Sequence, residues 1–77
     1  MPRLPRTSSA SVIAALERLG FVRVRTRGSH LVMARGRLGE RRVCVVPLHD
    51  ELAVGTLRSV LRQAGVTPDE LVEALRS

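Results

Sequence analysis

Apolar and polar positions change their period along this chain, and each change marks an element. From residue 10 to 19, Val12, Ile13, Leu16 and Leu19 recur at three- and four-residue spacing, which predicts an amphipathic helix with one buried stripe. Ser8 or Ser9 is placed to cap it, and Gly20 to stop it. Over residues 21–27 the period drops to two. Val22, Val24 and Thr26 alternate with Arg23, Arg25 and Arg27, as in a half-buried strand. Gly28 turns the chain into a second predicted strand, residues 29–35. Residues 36–40 form a glycine-containing loop, and residues 41–47 a third strand with β-branched Val43, Val45 and Val46. Pro47 cannot donate to a sheet ladder, so it ends that strand or sits at an edge.

The helical period returns over residues 55–64, where Leu57, Val60, Leu61 and Ala64 share a face before Gly65. Thr67-Pro68-Asp69-Glu70 then opens a last helix ending near Arg76. Threonine caps it, proline suits the first helical position and Glu70 completes a capping box. Residues 1–7 hold two prolines and two arginines without periodicity, and read as a mobile arm. The predicted class is α+β: a helix, a three-stranded antiparallel meander, then one or two helices. Such a sheet keeps one face wet and packs the other on helices.

Turn chemistry suggests a register. With Arg27 and Gly28 central in a two-residue turn, Arg25 opposes His30, Val24 opposes Leu31 and Val22 opposes Met33. With the second loop centred near Leu38, Arg35 opposes Arg41 and His30 opposes Val46. One face then carries Val22, Val24, Leu31, Met33, Val43 and Val45; the other carries Arg23, Arg25 and His30. A one-residue slip in either hairpin would spoil this sorting.

Seventy-seven residues suit a single domain, residues 1–77, with a modest core. The one cysteine, Cys44, has no partner within the chain, no apolar run is long enough to span a membrane, and no signal-peptide pattern opens the sequence. A cytoplasmic protein is expected. The net charge of +6 favours a polyanionic partner. All 13 basic residues are arginine, which grips phosphate through paired hydrogen bonds. Phe21 is the lone aromatic, so binding by stacking on aromatic platforms is disfavoured.

Candidate chemistry gathers in Arg25-Thr26-Arg27-Gly28-Ser29-His30. Histidine can exchange a proton near neutral pH, and the arginines around it can hold a phosphate. Candidate phosphate-binding residues are Arg23, Arg25, Arg27 and Arg42, with Ser29 able to orient phosphate or the ring. His49 is an accessory candidate, although its parity points to the opposite face. Two histidines, one cysteine and Asp50 lack zinc-ligand spacing, so no metal or other cofactor is expected.

Gly20-Phe21, Gly28-Ser29-His30, Val46-Pro47-Leu48-His49, Gly55-Thr56-Leu57 and Ala64-Gly65 occur in that order. Together they resemble the HicA family over residues 9–75. These small toxins, also called YcfA-like proteins, come from bacterial and archaeal toxin–antitoxin pairs. The resemblance implies a fold like that of double-stranded-RNA-binding domains. It implies an mRNA interferase whose catalytic histidine lies in the Gly-Ser-His motif, here His30. It also implies a HicB-type antitoxin that masks the active surface, with promoter DNA contacted by the antitoxin and not by the toxin alone. Asp50 and Glu51, close behind His49, depart from a purely basic surface.

Three hypotheses remain distinct at this point. One is a metal-independent endoribonuclease, with His30 as general acid or base and arginines stabilising the phosphorane-like charge. Another is a non-catalytic RNA-binding module of the same fold. The third is a protein-interaction partner whose RNA contacts vanish at modest salt.

Overall fold

The computed structural model describes residues 3–77. In chain order the elements are α1 (Ser9–Arg18), β1 (Val22–Arg27), β2 (His30–Arg35), β3 (Arg42–Pro47), α2 (Val54–Ala64) and α3 (Pro68–Arg76). The end signals act as the sequence suggests. The Ser8 side chain accepts from the Ser11 amide and caps α1. Gly65, at φ 68°, ends α2 in the left-handed region. Thr67 and Glu70 exchange both bonds of a capping box at the start of α3. No helix among the described residues is long and apolar enough to cross a membrane.

The sheet is antiparallel in the order β1-β2-β3. The helices form a second layer on one side of it: α2 rests on β3, and α1 packs on α3 and touches β3. Val12, Leu16, Phe21, Met33, Cys44, Val46, Leu57 and Leu71 fill the space between the layers. This is the α+β architecture of a double-stranded-RNA-binding-like domain, as expected.

Both hairpins differ in register from the sequence expectation. Gly28 and Ser29, not Arg27 and Gly28, are the central turn residues, so Arg27 pairs with His30 and Arg25 with Val32. Gly28 has φ 57° and Ser29 has no positive φ, which is the pattern of a turn with glycine in its first central position. A β-bulge between Arg23 and Arg25 then shifts the rest of β1 by one, pairing Arg23 with Met33. Every residue of β1 is exposed. Val22, expected in the core, is 61% exposed, and Val24 is exposed at the bulge.

The second loop is one residue longer than expected, pairing Arg35 with Arg42 and His30 with Pro47. Gly36 permits this: a Cβ there would lie 2.9 Å from the Glu40 carbonyl oxygen. The one-residue slip exchanges the faces of β3. Cys44 and Val46 are fully buried, whereas Val43, expected inside, is 44% exposed. Part of the expected mobile arm is docked. Leu4 is buried in the core, and Thr7 bridges Leu52, whose amide donates to the Thr7 carbonyl at 2.8 Å. Residues 1 and 2 of that arm lie outside the described residues.

Candidate functional site

The sheet face away from the helices holds His30. Opposed residues share a face, so the register arranges this surface in rows. Arg27, His30 and Pro47 make the first row, and Arg25, Val32 and Val45 the second. Val22, Ala34 and Val43 make the third. The surface grades from basic, at the hairpin end, to apolar. Arg27 is the direct cross-strand neighbour of His30; Arg25 lies one step along β1, at a diagonal distance of about 7–8 Å that a long side chain can span. His30, Arg25 and Arg27 are all exposed, so a polyanion can reach them without rearrangement of the core.

Two expected members are elsewhere. The bulge turns Arg23 to the helix side, where its Nε lies 3.5 Å from Glu17 Oε2 of α1. Arg42 sits five residues from Pro47 along β3, about 17 Å away at strand rise. Its guanidinium group lies over the Gly65 turn, with Nε 3.0 Å from where a Cβ on that glycine would be. Arg42 and His30 therefore occupy opposite ends and opposite sides of the sheet.

Beyond the sheet, the segment from Pro47 to His49 fastens the His30 turn to the helical layer. The Leu48 amide donates to the Ser29 carbonyl at 2.7 Å. The His49 amide donates to Ser9 Oγ at 2.7 Å, and the Ser9 amide returns a bond to the His49 carbonyl at 3.1 Å. The Ser9 hydroxyl also lies within donating distance of the Pro47 and His49 carbonyls. Ser9 is the one buried polar side chain among the described residues. Sequence reasoning saw it only as an alternative helix cap. Its depth inside the first turn, on the same stripe as Val12, Ile13 and Leu16, was the available signal.

His49 and Asp50 line a cleft of about 540 Å³ with Arg23 and the start of α1. The bulge and the Pro47–His49 segment, which acts as a strap, bring Arg23 and His49 together there, on the side of the sheet away from His30. Among the described residues, no three His, Cys, Asp or Glu side chains are grouped as a metal site. Cys44 faces the core, and burial pushes its thiol pKa up from 9.0 to about 11, so it is a packing residue and a poor nucleophile.

The structure is a small α+β fold with an open sheet face that is basic at its hairpin end. The family model described as HicA toxin of bacterial toxin-antitoxin matches residues 9–66, from the first residue of α1 to just past α2. The chain belongs to the HicA toxin family and is thus the toxin member of a toxin–antitoxin pair, with a cognate antitoxin as partner. No curated protein matches the sequence significantly.

Proposed function

We propose that the protein is a metal-independent endoribonuclease, an mRNA interferase, acting in the cytoplasm as a single toxin domain. The observation that carries this reading is the Arg27–His30 cross-strand pair on an open face, with Arg25 one step away. Proton transfer and phosphate binding are thereby offered to one ligand.

The chemistry needs no protein nucleophile. A ribose 2′-hydroxyl loses its proton to His30, and O2′ attacks the adjacent phosphorus. The 5′-oxygen leaves, taking a proton from the His30 imidazolium or from water, so the products are a 2′,3′-cyclic phosphate and a 5′-hydroxyl. General acid or base action of this kind contributes about 10²–10⁴-fold. Arg27 and Arg25 would neutralise the extra charge on the phosphorane-like transition state. Ser29 holds the turn through its carbonyl, and its hydroxyl would meet the phosphate from the same turn.

A HicB-type antitoxin would inhibit by covering this same face. An acidic surface placed over Arg25 and Arg27 would associate fast and exclude RNA. Val22 and Val43, exposed beside the arginines, would give it apolar contact. Incubating the protein with a structured mRNA, with and without a purified cognate antitoxin, tests the reading. Cleavage that stops at stoichiometric antitoxin supports it. RNA binding with no cleavage would leave the protein as a binding module.

A further inference from the structure

The cleft behind the strap has chemistry that phosphate binding does not use. We propose that it is a nucleobase subsite for guanine, taking a base of the RNA whose phosphate is held at His30 on the other face of the sheet. The placement rests on the ribonuclease reading; the binding itself does not.

Position is the first argument. Pro47 pairs with His30, and the next three residues, Leu48, His49 and Asp50, line the cleft. The cleft thus opens on the helix side of the sheet, just past the strand end that faces His30, and RNA held at His30 would reach it around that end of the sheet. The strap is fixed there by the Ser29 and Ser9 bonds, so the wall is preformed.

Chemistry is the second. Ile13 and Leu48 add apolar surface to an otherwise polar cleft, a mixture that suits a base with its flat faces and polar edges. Asp50 places a carboxylate in it, and the ion pairs among the described residues are Arg6–Glu51 and Arg23–Glu17, leaving Asp50 free of a cation. A free carboxylate repels phosphate but accepts N–H groups from a base edge. Arg23, braced by Glu17, supplies donors in the same cleft. Guanine alone among the four bases offers two neighbouring donors, N1–H and the N2 amino group, together with two acceptors, O6 and N7. Asp50 matches the donors and Arg23 the acceptors. His49 adds a ring on which a base can stack. The volume of about 540 Å³ is ample for a purine.

The test is an NMR titration of the whole chain with the 3′-monophosphates of guanosine, adenosine, cytidine and uridine, and with inorganic phosphate. Guanosine monophosphate should shift the amides of Ala10, Leu48 and Asp50, and bind about 5- to 100-fold more tightly than the other nucleotides. Asp50→Asn, a change at an exposed position, should erase that preference while the spectrum stays folded. Equal affinities for all four nucleotides, or shifts confined to Arg25, Arg27 and His30 and reproduced by phosphate alone, would overturn the proposal. A guanine preference that persists in a protein unable to cut RNA would uphold the subsite and sink the cleavage reading separately.

Discussion

Arg27 stands directly opposite His30 across the first hairpin, while Arg23, four residues earlier on the same strand, faces the other side of the sheet. The bulge separates two arginines that sequence alternation would place together. Removing them should therefore have unequal effects. Arg27→Ala should lower single-turnover RNA cleavage by about 10²–10³-fold, the usual loss for a donor aimed at developing charge. Arg25→Ala should cost less, and Arg23→Ala least. Equal losses for all three would contradict this placement.

RNA affinity should depend steeply on salt, because arginines supply it. Each arginine that contacts a phosphate of a single strand contributes about 0.7 to the slope of log K against log salt. Arg25→Ala and Arg27→Ala should each reduce the slope by about that amount. Arg42→Ala, at the far end of the sheet, should leave it unchanged. Filter binding or fluorescence anisotropy at several salt concentrations gives the slopes.

Ser9 ties the helical layer to the segment that holds the His30 turn. Ser9→Ala leaves the His49 amide without its acceptor at a part-buried site. A loss of about 1–3 kcal/mol is expected, seen as a fall in Tm of about 4 °C or more. Ser11→Ala removes only an exposed hydroxyl contact to Ser8 and should be close to neutral. Indistinguishable thermal midpoints for the two variants would show that the strap is held by something else.

Much of this was visible in the sequence. The helices and strands follow from period, and their ends from Gly20, Gly65 and the Thr67–Glu70 box, because these signals are local. Register is not local. Whether glycine stands first or second in a two-residue turn changes the partner of His30 from Arg25 to Arg27, and both turns look plausible in letters. A bulge at Val24 leaves no mark in an alternating Val–Arg pattern. In β3, Val43, Cys44, Val45 and Val46 are all apolar, so the inward face was decided by loop length and by the close approach of Gly36 to Glu40. His30 and His49 lie on opposite sides because of the path the chain takes after Pro47 and not because of strand parity, since the β2–β3 register differs by one residue from the expected one.

Alkaline pH should destabilise the fold through one group. The Cys44 thiol titrates near 9.0 when unfolded and near 11 when folded. Stability from its burial is therefore fully present below pH 9 and is lost as pH rises towards 11, because the unfolded chain releases its proton first. The chain has no lysine or tyrosine, so no other side chain titrates strongly in this interval. Urea unfolding at pH 8 and pH 10.5 should show the decrease in the parent protein and not in Cys44→Val. The same slope in both proteins would assign it elsewhere.

The central claim is cleavage of RNA by His30, and one assay addresses it most directly. Purified protein and His30→Ala would be incubated with a structured mRNA in EDTA, with folding of both checked by circular dichroism. Cutting by the parent alone, leaving 2′,3′-cyclic phosphate ends, is the predicted result. Equal cutting by both proteins, or none by either while RNA binding persists, would contradict it.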